Sequence, residues 1–213
     1  MSQYYNPTTN AKKSHRDLCD FFNASIPSFL DEYEGWYKLV NAVRPKVEVY
    51  QTIKTNEIPE LIDGKYTITY SVEDIPIETI RNKKNNELAN AFKKINDNAT
   101  VMSSLGFPID AGETANRDIN GLITVMEITG LTNTQFCDAN NEFHVVSLED
   151  CKTMLLEIIQ NAQALYQQKW AYRDAIATIE DIKELSDLTI EFSTLSFAEE
   201  VEEVEEEELV VEE

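Results

Sequence analysis

The feature that most constrains this chain is an apolar pattern with helical spacing near its C-terminal end. Its members lie mostly three or four residues apart, which places them on one face of an α-helix. A helix this long spans about 50 Å at ~1.5 Å per residue, so its apolar face must pack along another helix, within the chain or in a second chain. Lys169 interrupts the pattern, and Thr178 is a point at which the helix can divide. The apolar members are Leu148, Cys151, Leu155, Ile158, Ala162, Leu165, Tyr172, Ile176 and Ile179.

The start of this helix is marked by the tetrapeptide SLED. Ser147 precedes the first apolar member, and Asp150 follows three positions later. In a capping box, each of two such side chains accepts a hydrogen bond from the backbone N–H of the other residue. We therefore predict that the helix begins directly after Ser147.

Two short strands and a turn are predicted before this helix. The segments TQF and EFHVV are rich in residues that favour strands, and DANN lies between them. Asp and Asn favour turns because their side chains bond the local backbone and tolerate left-handed conformations. The segment FCDANNEFHVVSLEDC (136–151) therefore reads as a hairpin that leads into the long helix.

The same segment raises the question of a metal or thiol site. Cys137 and Cys151 are fourteen residues apart, which is far outside the two to four residues that usually separate a pair of zinc ligands. Cys151 falls on the apolar pattern, where a thiol packs as a small hydrophobic group. We expect scaffold residues here, with no metal and no cofactor. A nucleophilic pair of Cys137 and His144 stays open, because such partners meet only in space.

Other signals of catalysis are weak. The sequence lacks the phosphate-binding patterns G-x-x-x-x-G-K and G-x-G-x-x-G and the nucleophile pattern G-x-S-x-G. Its only histidines are His15 and His144, and its three cysteines are expected to be reduced thiols. The sequence therefore predicts a protein that is not an enzyme.

The charge is strongly acidic and concentrated at the end of the chain. The net charge is −21, and the segment 197–213 contributes ten Glu and no basic residue. Nucleic acid is an unfavourable ligand for such a chain, since phosphate binding needs a cationic surface. The segment is expected to be a solvated, disordered tail, or else a docking peptide for a basic partner. No apolar run reaches 18 residues, so no membrane span is predicted, and the first residues lack the pattern of a secretory signal.

The order of the elements predicts an α+β protein. It would combine a small antiparallel β-meander with a helical domain that has a long C-terminal helix. The meander rests on KVEVYQTIK and KYTITYSV, whose apolar residues alternate, and on a turn at Asp63-Gly64. Four segments follow: an N-terminal arm with short helices (1–35), the meander (36–74), the helical domain with its hairpin (75–190) and the acidic tail (191–213).

Two further helices are predicted inside the helical domain. The first begins with Asp74 as cap and Pro76 in its first turn, runs to Met102 and ends before Gly106. The second runs from Thr114 to Gly130, which suits the residue after a helix.

Several apolar and aromatic residues are candidates for an interface with another chain. Aromatic residues are enriched at interface hot spots, and they crowd the segment 21–37. The long helix offers a second apolar surface. The candidates are Phe21, Phe22, Phe29, Tyr33, Trp36, Tyr37, Leu155, Ile158, Leu165 and Tyr172.

Short motifs link the chain to a known kind of domain. In order, they are a Gly-aromatic start, the helix segment RDINGL, an aromatic residue before an Asp-Asn turn, and a Leu-led helix. This order resembles an uncharacterised domain near the C-terminal end of tail and tail-fibre-associated proteins of tailed bacteriophages. Phe136 stands where that family usually has Trp, and Ala139 is inserted in the turn. The motif residues are Gly106, Phe107, Arg117, Asn120, Gly121, Phe136, Asp138, Asn140 and Leu148.

The upstream sequence is similar to the same phage proteins. Residues 36–51 and 63–84 resemble the segment that often precedes this domain, so the likeness covers roughly residues 36–190. The resemblance implies a structural or adaptor protein of the virion tail, baseplate or fibre region, made in the host cytoplasm. Its partners would be other tail or baseplate proteins, and it would form a homo-oligomer. The resemblance brings no catalytic residues.

Other functions remain open from the sequence. A tail-fibre assembly chaperone would be absent from the mature virion. A cysteine-dependent hydrolase or host-modifying enzyme would use Cys137 and His144. A cellular acidic binding protein is a third alternative.

Truncation after Phe197 should leave folding nearly unchanged. The removed segment cannot bury enough apolar surface to offset the entropy of ordering it. If the tail docks on a basic partner, the truncated chain should bind that partner more weakly and with less dependence on salt. Thermal unfolding and binding at two salt concentrations test this, and a truncated chain that fails to fold would contradict it.

Overall fold

The computed structural model describes residues 2–198, and the acidic residues 199–213 lie outside the described part of the chain. The chain divides into two compact units, Met1–Ile80 and Arg81–Glu213. The boundary falls inside a helix. Each unit is described by itself.

The described residues form five helices and thirteen short strands. The helices are α1 (His15–Phe22), α2 (Ile77–Asn98), α3 (Glu113–Thr129), α4 (Leu148–Thr178) and α5 (Ile182–Asp187). The strands are β1 (Gln3–Asn6), β2 (Ala11–Ser14), β3 (Glu32–Tyr33), β4 (Trp36–Lys38), β5 (Val40–Asn41), β6 (Gln51–Thr55), β7 (Glu60–Ile62), β8 (Lys65–Ile68), β9 (Tyr70–Asp74), β10 (Thr100–Met102), β11 (Pro108–Asp110), β12 (Asn133–Cys137) and β13 (Phe143–Ser147). The predicted α+β class is confirmed.

The first unit begins with a four-stranded sheet in the order β2-β1-β4-β3. This differs from the predicted boundary after residue 35, because β1 pairs with β2 and also with β4, where Tyr4 and Tyr5 lie opposite Lys38 and Tyr37. Tyr4 is fully buried, and its hydroxyl donates to the Leu30 carbonyl at 3.1 Å. The core of this sheet consists of Tyr4, Leu18, Ile26 and Trp36.

Four of the other strands of the first unit form an interrupted hairpin, and β5 pairs in parallel with β8, which differs from the predicted, purely antiparallel meander. Strand β6 pairs with β9, and β7 pairs with β8, with an irregular connection between the two ladders. The predicted turn at Asp63-Gly64 is confirmed, with φ of 50° and 76° at the two residues. The predicted strand from Val47 begins later, at Gln51, and Val49 is exposed.

The first helix of the second unit is shorter than predicted. Helix α2 ends at Asn98, and the segment assigned to its last turn forms β10, which pairs with β11. Val101 and Ile109 lie opposite each other in this ladder and are both buried. Gly106, with φ of 87°, lies in the connecting turn instead of following a helix.

Helices α3 and α4 contribute much of the core of the second unit. Helix α3 ends at Gly130 as predicted, with φ of 70° there. The predicted capping box of α4 is confirmed: Ser147 Oγ accepts from the Asp150 N–H, and Asp150 Oδ2 accepts from the Ser147 N–H. The buried core includes Ile119, Ile123, Met126, Cys151, Met154, Ile158 and Leu165.

Helix α2 holds the C-terminal end of α4. The Arg81 guanidinium donates to the carbonyls of Ile176 and Ile179, each at 3.0 Å. A cation at this end of a helix also interacts favourably with the helix dipole. Lys169, the interruption in the apolar pattern, places its ammonium 4.0 Å from the centre of the Phe92 ring. A cation over an aromatic face explains why a lysine is accommodated there.

Residues 191–197, here called the C-terminal strap, run along α4. The Tyr172 hydroxyl donates to the Glu191 carbonyl, and Gln168 both donates to and accepts from the Ser193 backbone. The strap therefore belongs to the second unit, although the sequence placed it in the acidic tail.

The strap ends against another element of the same unit. The Leu195 N–H donates to Asn161 Oδ1 at 2.9 Å, and the Phe197 N–H donates to the Met102 carbonyl at 2.8 Å. Phe192 and Phe197 pack against the core cluster. Among the described residues, no helix has both the length and the hydropathy of a bilayer span.

Two leucines of α4 provide a matched test of this packing. Leu165 is buried, whereas Leu156 is 55% exposed. Leu165→Ala should lower the free energy of unfolding by about 2–5 kcal/mol, because it leaves a cavity in the core. Leu156→Ala should change the free energy of unfolding by no more than about 0.5 kcal/mol when both variants are measured at a chain concentration low enough for the chain to be monomeric. Urea denaturation of both variants checks this, and equal losses would mean that α4 is rotated about its axis.

Candidate functional site

The turn between β12 and β13 is organised by one buried carboxylate, that of Asp138. Asp138 Oδ1 accepts from the N–H groups of Asn140 and Glu142, each at 2.8 Å, and Oδ2 accepts from His144 Nε2 at 2.9 Å. Asn141 has φ of 64°, and its N–H donates to the Asp138 carbonyl. The predicted DANN turn is confirmed, with Asp138 as its centre.

The hydrogen bonds also set the charge state of Asp138. Burial by itself raises the pKa of this carboxyl, but the Glu142 N–H, the His144 ring and the Asn140 N–H outweigh it, and the pKa is lowered. Donors aimed at a carboxylate stabilise its ionised form. Asp138 is therefore an anion that fastens the turn to β13.

Aromatic residues from two separate hairpins meet at this turn. The Phe107 ring stacks on His144 with centroids 3.9 Å apart and planes 8° apart, and Phe136 lies 6.2 Å from Phe107. The Ala139 N–H donates to the Pro108 carbonyl. The β10–β11 hairpin is thus tied to the β12–β13 hairpin through Phe107, His144 and Asp138.

Three of these side chains are close enough to hold a metal ion. Ligand atoms of Asp138, Glu142 and His144 lie within 4.8 Å of one another. Both Asp138 oxygens already accept hydrogen bonds from the protein, and these bonds account for the geometry of the cluster. The cluster is therefore explained by the hydrogen bonds with which Asp138 stabilises the turn.

Cys137 and His144 do not form a catalytic pair. In the β12–β13 ladder, His144 faces Phe136 and Cys137 faces Phe143. Because successive side chains alternate between the faces of a strand, Cys137 and His144 project from opposite faces of the hairpin. Cys151 is buried, and burial and the nearby Asp150 carboxylate raise the pKa of its thiol.

A different cysteine lies beside a histidine. Cys19 Sγ is 3.8 Å from His15 Nε2, one turn apart on α1. The same Nε2 is 2.8 Å from the Ile26 carbonyl, which can only accept a hydrogen bond. Nε2 therefore carries a proton and is not available as a base toward Cys19. The ring serves to anchor the loop after α1.

The structure corrects part of the predicted interface. Trp36, Ile158 and Leu165 are buried in the cores of their own units and do not offer a free surface. Phe21 and Phe29 are exposed. Phe22, Tyr33, Tyr37, Leu155 and Tyr172 are partly buried, and the Tyr172 hydroxyl is bonded to the strap.

A second apolar series on α4 is exposed instead. Leu156, Ile159, Tyr166 and Trp170, here called the α4 stripe, are between 39% and 55% exposed. Gln163 completes their alternation of three and four residues. This series lies one position after Leu155, Ile158, Ala162, Leu165 and Lys169, which corresponds to a rotation of about 100° around the helix. This second series could also be read from the sequence, because it has the same spacing of three and four residues as the predicted apolar series.

The α4 stripe borders a cleft of about 520 Å³ that has a mixed polar and apolar lining. Glu113, Asn116 and Arg117 from α3 line it opposite Ile158 and Tyr166. The Arg117 guanidinium donates a hydrogen bond to the carboxylate of the neighbouring Asp118. The surface around the stripe therefore combines exposed apolar side chains with charged and amide groups.

The fold and this surface define an α+β protein whose second unit is a helical domain with two β-hairpins. Residues 79–190 match the family described as "Domain of unknown function (DUF4376)". The match covers more than half of the chain, so the chain belongs to this family. No curated protein and no solved structure matches the chain.

Asp138→Asn should lower the melting temperature at neutral pH, because the amide cannot replace the charged acceptor of the His144 hydrogen bond. The pKa of Asp138 is depressed in the folded state, so its stabilising effect is complete above the pKa of an unfolded Asp, about 3.9. The effect is lost as the pH falls through the lower folded-state pKa. The difference in melting temperature between wild type and variant should therefore shrink on acidification. Asp118→Asn, at an exposed position, is the control, and a difference independent of pH would contradict the charge state.

Proposed function

We propose that this chain is a structural or adaptor protein of a tailed-phage virion, placed in the tail, baseplate or fibre-attachment region. It acts by protein–protein interaction and carries out no chemistry. The observation that carries the proposal is the α4 stripe, an apolar series exposed on a helix whose opposite face is already packed. Contiguous exposed apolar surface marks interaction sites in soluble proteins.

The composition of the stripe supports a binding role. Tyr and Trp supply large contact areas at little cost in conformational entropy, and they are enriched at interface hot spots. The Tyr166 ring is 6.1 Å from the Trp170 ring and 5.0 Å from the buried Phe92 ring. The exposed aromatic pair therefore packs against a buried residue of the core through Tyr166.

The phage setting is supported by the resemblance over residues 36–190, which contains the family match at 79–190. The motif residues Phe107, Phe136 and Asp138 lie together at the hairpin turn. The stacking and hydrogen bonds at this turn make the domain rigid, as a component of an assembled particle needs to be. We expect other tail or baseplate proteins as partners.

Replacing both aromatic residues of the stripe tests the proposal. Tyr166→Ser combined with Trp170→Ser should reduce the amount of the chain in purified phage particles by about tenfold, with the fold retained by circular dichroism. Quantitative mass spectrometry of the particles measures this. Phe143→Ser is the control, since Phe143 is an exposed aromatic residue on β13, outside the stripe.

The location of the wild-type chain distinguishes the main alternative. Presence in mature particles supports a virion component. Absence from particles, together with binding to fibre proteins during assembly, would replace this proposal with an assembly chaperone. Absence from both would contradict a phage role.

A further inference from the structure

The α4 stripe is the centre of a longer exposed series. Extending its spacing in both directions adds charged residues at each end. The series is Glu149, Lys152, Leu156, Ile159, Gln163, Tyr166, Trp170 and Arg173, here called the heptad face, and all eight residues are exposed. Intervals of three and four residues over this length are typical of a coiled-coil seam.

The charges at the two ends of the heptad face are complementary between two copies of α4 in only one relative orientation of the helices. In a parallel pair of identical helices each residue faces its own copy, so Lys152 meets Lys152 and Arg173 meets Arg173. Like charges at those positions repel. In an antiparallel pair the acidic first residue of the series meets the basic last one.

One antiparallel register matches every position of the heptad face. It places Glu149 opposite Arg173 of the second copy and Lys152 opposite Trp170. The two inner layers pair Leu156 with Tyr166 and Ile159 with Gln163. Each contact occurs twice, because a two-fold axis relates the copies. Sliding one helix by seven residues instead places Leu156 opposite Arg173 and removes the charge pair.

The terminal charges are available for such contacts. Arg173 makes no salt bridge or side-chain hydrogen bond with any other residue of the described range 2–198. The Glu149 side chain is 82% exposed and contacts Lys152 at 3.3 Å. Lys152 is held in place by Glu127 of α3 as well as by Glu149. In the antiparallel register this lysine lies opposite the Trp170 ring of the second copy, and a cation over a Trp face is favourable.

We propose that α4 pairs antiparallel with α4 of a second copy of this chain through the heptad face. This rests on the proposed function, because the dimer uses the same stripe and presents two copies of the remaining surface to the particle. The apolar and aromatic layers supply the association, and the Glu149–Arg173 pairs select the antiparallel direction and the register.

Exchanging the two charges tests the pairing. By light scattering, the wild-type chain should have about twice the 24.3 kDa mass of one chain. Glu149→Arg alone and Arg173→Glu alone should each weaken self-association by about tenfold or more, since each places two like-charged pairs in the dimer. The double variant restores opposite charges and should return the dissociation constant to near the wild-type value.

Lys94→Glu is the matched control, since Lys94 is an exposed charged residue on α2, outside the heptad face. It should leave the dimer intact. A monomeric wild type, or a double variant that stays as weak as the single ones, would overturn the proposed pairing. A monomeric chain that still loses particle incorporation with Tyr166→Ser and Trp170→Ser would overturn the pairing and leave the proposed function standing.

Discussion

The packing of one side of α4 is the constraint on which the second unit depends. Met154, Ile158 and Leu165 are buried in its core, and their position fixes the direction of every other side chain on the helix. Asn161, Gln168 and Tyr172 then face the strap and bond its backbone. The remaining direction exposes the α4 stripe. A single helix thus supplies the core, the attachment of the chain's own C-terminal segment and the surface proposed for a partner.

Local signals predicted the parts of the fold that are set by neighbouring residues. The capping box at Ser147 and Asp150, the turn at Asp63-Gly64 and the helix end at Gly130 each depend on a few adjacent positions, and all three were found. The strand β1 was missed, because Tyr4 and Tyr5 are adjacent, so the segment does not alternate. The end of α2 was placed too late, because Ala99 and Met102 continue its spacing by coincidence while β10 pairs with a strand that follows it.

The candidate surface was only partly predictable, for a geometric reason. Ile158 and Ile159 are both apolar, and each belongs to a series with the same spacing. Periodicity identifies the helix, but which series faces the core depends on what packs against it. The role of Asp138 could not be predicted either, because one of its partners is His144 across the turn, and the ring of that histidine is stacked on Phe107 from another hairpin. The turn and the motif residues could be recognised in the sequence. The hydrogen bonds that connect them could not, because they depend on the folded structure.

The attachment of the strap has a consequence for the order in which the protein forms during synthesis. The first unit has all its residues once Ile80 has been made. The second unit brings Arg81 to the end of α4 and joins Phe92 to Phe192, contacts that link its first residues to its last. At ~5–20 residues per second, the ribosome needs on the order of ten seconds to connect these two points. Contacts so distant in the chain are also slow to form. During that interval α2 leaves the ribosome before the residues that cover it in the folded unit have been made.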